Sequence, residues 1–277
     1  MTLNGRSTAP PGGPHPLSHV SLAAQADVAF SAMGDQSPFG LRLWRLLWQR
    51  HRVLVEYSAG MLARTTDISY PDLREVLHGS TPNDEMLRRL GPALGIHAAD
   101  LFVIAGLEVP IDLAPAGPTS PWDVRQIVRT ALTMSAGRRV EFGELIQSLP
   151  VEPRTDPMPM FGYPDGPGGM LLRLVRNRNI RPWCARILHA VGDGPYVDDS
   201  TVAMLGSGRV VITPQYVTAF AHLCGYAPEE MVALVGVGPA ITSTRAHPAS
   251  AEIAALAWNA RGLTSDQIEH AVEAVRR

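Results

Sequence analysis

The segment Ile68–Gly79 carries both a start and a stop signal for one short helix, and it constrains the fold more than any other part of the chain. Ser69 is a typical N-cap residue, and Pro71 lies in the first turn, where its missing N–H costs no hydrogen bond. The next apolar residues have the spacing of one helical stripe: Leu73, Val76 and Leu77. Gly79 is placed to end the helix. The segment therefore predicts a short capped helix whose outer face carries polar and aromatic side chains.

The same pattern of residue types recurs in the second half of the chain, in Val197–Gly208. The corresponding pairs, all at one constant offset, are Ile68 and Val197, Ser69 and Asp198, Leu73 and Val202, Val76 and Leu205, and Gly79 and Gly208. A second block recurs at a slightly longer constant offset, where Leu90, Gly95, Ile96, Asp100, Leu101, Ile104 and Gly106 correspond to Phe220, Gly225, Tyr226, Glu230, Met231, Leu234 and Gly236. A single insertion between the blocks accounts for the change of offset. We interpret the chain as an internal duplication; the alternative is a coincidental likeness between two all-helical segments.

Helical periodicity continues on both sides of the two copies. Around the first copy it predicts helices over Phe39–His51, Asn83–Leu94 and Ala98–Ala105, with a further helix that points Met61, Leu62 and Ala63 inward. The apolar run Arg52–Tyr57 is interpreted as an extended link. The predicted organisation is a disordered N-terminal arm over residues 1–38, a first domain over 39–109, a helical hairpin over 119–149, a Pro/Gly-rich linker over 150–169, a second domain over 170–238 and a C-terminal helical hairpin over 246–277.

This order of a helix, a tight turn, a short helix and two packing helices resembles the lambda-repressor-like (Xre-type, Cro-like) helix-turn-helix domain. The resemblance is carried by Leu62 and Ala63, Ile68 and Ser69, Leu73, Leu77–Gly79, Leu90–Ile96 and Asp100–Phe102. It implies an all-α protein with two such domains in tandem, each followed by a helical hairpin. It also implies a sequence-specific DNA-binding transcriptional regulator, in which the second helix of the turn reads the major groove. The alternative fold is an unrelated five-helix bundle with similar loops.

The resemblance places candidate DNA contacts on and around the two short helices. In the first copy they are Arg45, Arg64, Ser69, Tyr70, Asp72, Arg74 and His78, and in the second copy they are Arg178, Arg181, Arg186, Asp199, Ser200, Thr201 and Arg209. The expected partners are double-stranded DNA and a second copy of the chain. A homodimer is expected because operators are often two-fold symmetric and because the hairpins carry apolar stripes beyond what two small domains need.

The charge pattern argues partly against DNA binding. The chain has a net charge of -2 and no lysine, so arginine must supply every basic phosphate contact. Neither short helix contains Asn or Gln, which match adenine edges, and both carry carboxylates that would face a polyanion. The competing hypothesis is therefore a protein–protein interaction module that keeps the helix-turn-helix fold, has lost DNA binding and meets a basic partner through its acidic recognition helices.

Other classes of function lack a matching motif. Cys184, His189, His222 and Cys224 do not have the spacing of a common metal site, and no catalytic triad or phosphate-binding glycine loop occurs. An enzyme, a metal and a cofactor are therefore not expected. No run of apolar residues is long enough to span a membrane, and no secretory signal begins the chain, so a cytoplasmic location is expected.

Overall fold

The computed structural model describes residues 38–51, 55–115, 123–151, 162–238 and 245–276. These ranges contain fourteen α-helices and one 3-10 turn, Ala260–Gly262, and none of them contains a strand. The predicted all-α class is therefore confirmed. The described ranges all belong to one compact unit. The predicted N-terminal arm lies outside the described residues, except for Pro38, which begins the first helix. No described helix is both long and apolar enough to cross a bilayer.

Two sets of five helices are each followed by two more. The first half consists of α1 (Pro38–His51), α2 (Val55–Thr66), α3 (Tyr70–Leu77), α4 (Asp84–Leu94) and α5 (Ala98–Ala105). The first hairpin consists of α6 (Val124–Leu132) and α7 (Ala136–Ser148). The second half consists of α8 (Pro167–Arg176), α9 (Ala185–Gly192), α10 (Asp199–Gly206), α11 (Pro214–Cys224) and α12 (Pro228–Val235). The second hairpin consists of α13 (Ser250–Asn259) and α14 (Ser265–Ala274).

The third, fourth and fifth helices of the two halves have the same bounds once the sequence offset is applied, whereas the first and second helices are shorter in the second half. Helices α3 and α10 begin and end at the offset of the first sequence block, and both α4 with α11 and α5 with α12 begin and end at the offset of the second. The glycines that end the fourth helices, Gly95 and Gly225, are both in the left-handed conformation. The same holds for Gly106 and Gly236 at the ends of the fifth helices. Local capping therefore ends the fourth and fifth helices at corresponding residues in both halves.

Two helix starts and the orientation of one side chain differ from those predicted. Helix α2 begins at Val55, so the end of the segment Arg52–Tyr57 is helical rather than an extended link; residues 52–54 lie outside the described residues. Met61 was predicted to point inward but is exposed, because the buried stripe of α2 runs through Ser58, Ala59 and Leu62 instead. Helix α8 begins at Pro167, inside the predicted Pro/Gly linker, since proline is well suited to a first helical turn.

A glycine lets the first helix of each half approach the end of the third helix closely. A Cβ atom on Gly40 in α1 would overlap the carbonyl oxygen of Val76 in α3. A Cβ atom on Gly168 in α8 would overlap the carbonyl oxygen of Leu205 in α10 in the same way. Val76 and Leu205 are corresponding residues, so each third helix is supported by the same kind of backbone contact.

The two hairpins pack against each other within the chain. Helix α13 lies against both α6 and α7, and α14 also contacts both. Their apolar stripes meet in a fully buried core that includes Ile127, Phe142, Ile253, Ile268 and Val272. The hairpin stripes on which the homodimer prediction rested are therefore covered by the chain itself. Arg139 of α7 also pairs with Glu252 of α13, with Nε and Oε2 2.6 Å apart.

Candidate nucleic-acid interface

Helix α3 presents an open polar face. Ser69 caps it by accepting a hydrogen bond from the backbone N–H of Asp72, at 3.2 Å. One stripe of the helix is buried: Leu73, Val76 and Leu77. The predicted contact residues on its other side are all exposed: Ser69, Tyr70, Asp72, Arg74 and His78. Among the described residues, none of these side chains forms an ion pair, so this face is free to meet another molecule.

Helix α10 occupies the corresponding place in the second half, and its start is tied to the start of α9. The Asp199 Oδ1 atom accepts a hydrogen bond from the backbone N–H of Ala185, at 2.9 Å. Asp199 thereby satisfies a donor at the N-terminus of α9 that no helical carbonyl can reach. Ser200 is exposed, while Asp199 and Thr201 are half-buried. Two helix N-termini, which favour anions, therefore lie side by side at this point.

An aromatic and basic surface lies beside these two N-termini. Trp183, which precedes α9, is 54% exposed. The guanidinium carbons of Arg181 and Arg125 lie 5.8 and 5.9 Å from the centre of its ring. Arg186, in the first turn of α9, is exposed. We call Arg181, Trp183, Arg186 and Ser200 the α9 surface; three of its members are predicted contact residues.

The other predicted arginines are scattered over different positions. Arg64 and Arg209 are exposed, near the end of α2 and just beyond α10 respectively. Arg45 is half-buried, and its guanidinium lies against Gly236 of the second half. Arg64 and Arg209 therefore remain available to a partner, whereas Arg45 lies between the two halves.

The prediction that Arg178 contacts phosphate is wrong, because its side chain is only 1% exposed. Its Nη2 atom lies 2.8 Å from Oδ2 of Asp100 and donates at 2.6 Å to the carbonyl oxygen of Cys224. Asp100 also accepts hydrogen bonds from the Asn177 amide, at 2.6 Å, and the Tyr226 hydroxyl, at 2.9 Å. These contacts join α5 of the first half to α8 and α11–α12 of the second. Arg178 is therefore part of the contact between the halves.

Burial and pairing shift the pKa values of Asp100 and Tyr226. Burial alone would raise the pKa of Asp100, but the positive charge of Arg178 and three hydrogen-bond donors outweigh it and hold that pKa below its ordinary value. Burial and the neighbouring Asp100 carboxylate raise the pKa of Tyr226 well above its ordinary value. Asp100 is therefore ionised and Tyr226 neutral at physiological pH.

Neither Asp100 nor the ion pair of Arg50 with Glu230 was identified from the sequence as a contact between the halves. The Arg50 Nε and Glu230 Oε1 atoms are 2.7 Å apart. A signal was present, because Asp100 and Glu230 are corresponding residues: an acid recurs at the same position of the fifth helix in both halves. The partners were not identifiable, since they lie 78 and 180 residues away in the sequence.

Pairing with acids neutralises other arginines of the first half. Arg88 contacts Asp84 and Asp112, and Arg89 contacts Asp67 and Glu85. All four acids lie on the exposed surface. Of the described arginines in the first half, Arg64 and Arg74 are therefore the exposed ones that form no ion pair.

Neither a metal centre nor a reactive thiol emerges from the described residues. They contain no group of three or more His, Cys, Asp or Glu side chains placed to hold a metal ion. Cys184 and Cys224 are both free and buried, and burial raises the pKa of the Cys224 thiol to about 11.

A cleft of about 520 Å³ lies between α13 and the turns that precede α5 and α12, and it is lined in part by His97, His222 and Trp258. Its lining holds no side chain from the α9 surface.

Comparison with known proteins adds no relative: no protein-family model, curated protein or solved structure matches the chain.

Proposed function

We propose that the protein is a sequence-specific DNA-binding transcriptional regulator, in which the two halves are tandem lambda-repressor-like helix-turn-helix domains derived by internal duplication. The observation that carries this proposal is the third helix of each half. Helices α3 and α10 have equal lengths and corresponding bounds and are buried along one stripe; the opposite face is exposed in α3, whereas in α10 Ser200 is exposed and Asp199 and Thr201 are half-buried. A short supported helix with an open polar face is what major-groove reading requires.

The second half supplies the better phosphate contacts. The α9 surface combines Arg186, an exposed arginine, with Arg181 and a large aromatic ring at the point where two helix N-termini lie side by side. Helix N-termini and arginine both favour phosphate oxygens. The Asp199 carboxylate opposes this attraction, because it carries a negative charge and already accepts the N–H of Ala185 at the N-terminus of α9, so the two arginines supply most of it.

The first half is the weaker DNA contact. The face of α3 carries Asp72 and Glu75 with Arg74 as its only arginine, and Arg88 and Arg89 are neutralised nearby. Carboxylates near phosphate are unfavourable, since each phosphate carries a negative charge. Most of the affinity is therefore expected from the second half.

Replacing Arg186 with Ala tests the phosphate contact. The measurement is fluorescence anisotropy of labelled genomic DNA fragments, titrated at salt concentrations between about 50 and 200 mM. Arg186→Ala should weaken binding to all sequences alike and reduce the salt slope by roughly one, because one phosphate contact is lost. Arg129→Ala, which removes an exposed arginine of the first hairpin, is the matched control and should change neither quantity. Undetectable binding of the wild type at low salt would reject the proposal.

Replacing Asp72 with Asn tests the recognition helix of the first half. The substitution removes a negative charge near phosphate and adds an amide that matches adenine, so DNA affinity should rise. The same anisotropy titration measures this change. Unchanged binding of Asp72→Asn would show that α3 does not approach DNA.

A second candidate function, the protein interaction module, is favoured by exposed apolar side chains on the first half. Tyr57 and Met61 lie one turn apart on α2 and are 64% and 48% exposed, and Tyr70 at the start of α3 is 40% exposed. Aromatic residues and methionine are enriched in protein interfaces. If this candidate is correct, Tyr57→Ala and Asp72→Asn should both reduce recovery of a protein partner in a pull-down, while DNA binding stays undetectable.

A further inference from the structure

The two halves contact each other reciprocally. Helix α1 of the first half packs along α12 of the second, and α8 of the second half packs against α5 of the first. In both cases the first helix of one half meets the fifth helix of the other. The contact is therefore made twice, with the roles of the two halves exchanged.

The ion pairs between the halves show the same exchange of roles between the first and fifth helices. Arg50 lies in the last turn of α1 and pairs with Glu230 of α12, while Arg178 follows α8 and pairs with Asp100 of α5. Asp100 and Glu230 are corresponding residues. Each arginine also donates to the carbonyl oxygen of the last residue of the fourth helix in its own half: Arg50 to Leu94 at 2.5 Å and Arg178 to Cys224 at 2.6 Å. Leu94 and Cys224 are again corresponding residues, at the offset of the second sequence block.

A reciprocal contact of this kind identifies the symmetry. When the same patch on both partners is used, and residue i meets j while j meets i, the partners are related by a two-fold axis. A head-to-tail arrangement would instead use two different patches. The two halves are therefore arranged approximately as the subunits of a two-fold dimer, within one chain. Corresponding parts such as α3 and α10 then lie at the same level along that axis.

Building on the proposed function, we propose that one chain is a complete two-headed DNA reader whose target is a single duplex with two unlike half-sites, in inverted orientation and at one fixed spacing. Inversion follows from the two-fold relation, because paired domains related in this way match a pseudo-palindromic site. The half-sites differ because the exposed residues of α3 and α10 differ at nearly every position. The spacing is fixed because a fully buried ion pair and a half-buried one hold the halves together.

The experiment selects bound duplexes from a randomised DNA pool with the full-length protein and then reconstructs the selected site in four forms. These are the selected site, either half-site alone, the two half-sites in direct orientation, and the site with about five base pairs inserted, which is half a helical turn. The selected site should bind about a hundredfold or more tighter than the other three, since two linked contacts act together. Light scattering of the complex should give one chain per duplex.

Variants at the contact between the halves provide a second arm. Glu230→Gln removes the charge of the half-buried pair and keeps the shape of the side chain, and it should reduce the preference for the selected spacing while leaving the affinity for one half-site unchanged. Asp112→Asn removes an exposed acid that pairs with Arg88 inside the first half and should leave both quantities unchanged. Asp100→Asn should reduce the preference for the selected spacing more strongly than Glu230→Gln does, under conditions in which the variant remains folded.

The outcomes separate this inference from the proposed function. Binding to a single half-site with no gain from a second, equal binding of direct and inverted sites, or two chains per duplex would each overturn the two-headed reader and leave DNA binding intact. Failure to select any duplex would overturn both.

Discussion

At the scale of single residues, the most consequential group is the buried Asp100 carboxylate. It lies in an otherwise apolar helix and is compensated by Arg178, Asn177 and Tyr226. Removing one partner of a buried ion pair leaves an uncompensated charge, which is strongly destabilising. Asp100 and Arg178 are therefore expected to matter more for stability than the exposed arginine pairs of the surface.

The lowered pKa of Asp100 predicts a pH-dependent stability. A carboxyl group whose folded pKa lies below its unfolded value, about 3.9, stabilises the protein above that value and loses this contribution as the pH falls through the folded pKa. Asp100→Asn should therefore lower the free energy of unfolding by about 3–5 kcal/mol near pH 7. The difference from the wild type should shrink below about pH 4. Urea unfolding across this pH range measures both effects.

The exposed Asp112 supplies the control for this measurement. It also pairs with an arginine, and the hydrogen bond from Arg88 lowers its pKa. Because it is 59% exposed, Asp112→Asn should cost less than about 1 kcal/mol. A cost for Asp100→Asn no larger than this, or one that is independent of pH, would contradict the role of the buried pair.

At the scale of elements, the third helix of each half depends on a glycine in the first helix. Gly40 and Gly168 allow the backbones to touch near the ends of α3 and α10. Alanine is otherwise the better helix former, so these glycines oppose local helix propensity. Their position is explained by the close contact between helices.

Substituting these glycines tests the contact. Gly40→Ala and Gly168→Ala should each lower the free energy of unfolding by about 1–3 kcal/mol, because the new Cβ would overlap a backbone carbonyl and force the helices apart. Gly60→Ala is the matched control: Gly60 lies inside α2, with nothing within 4 Å of a Cβ atom. That variant should be unchanged or more stable by up to about 1 kcal/mol. Urea unfolding of all three variants measures the differences, and equal effects at the three positions would refute the close contact.

At the scale of the whole molecule, the hairpins and the two halves form one body. Helix α6 packs against α9 of the second half, α13 packs against both α9 and α11, and α6 and α13 pack against each other. Arg261 extends this connection by donating to the carbonyl oxygens of Leu113 and Asn177. The hairpins therefore contribute to the core of this chain, which leaves their apolar stripes no part in a homodimer.

This arrangement predicts a monomer whose stability depends on the hairpins. Light scattering at tens of micromolar should give the mass of one chain. Phe142→Ala should lower the free energy of unfolding by about 3–5 kcal/mol, because the Phe142 side chain is fully buried among the four hairpin helices. Val140→Ala, on the exposed side of the same helix, should change it by less than about 0.5 kcal/mol. A stable dimer that Phe142→Ala dissociates without loss of monomer stability would contradict the prediction.

The sequence by itself determined the helices and their correspondence. Ser69 and Asn83 cap helices through side chains that reach only three residues ahead, and Gly95 and Gly225 end helices through their own backbone conformation. Such signals act within one or two turns, so they can be read in order along the chain. For this reason α3, α5 and the offset between the halves could be predicted closely.

Only the tertiary structure decided which charged side chains and which apolar helix faces are exposed to solvent. The sequence around Arg178 is that of a basic surface cluster, yet its guanidinium is buried against Asp100, 78 residues away. Arg50 likewise pairs with Glu230, and the two apolar hairpins pack against each other, although long stretches of sequence separate them. Helical periodicity identifies an apolar stripe or a charged position without identifying its partner, because contacts between distant segments depend on how the helices assemble. The two-fold relation between the halves is therefore a property of the assembled helices.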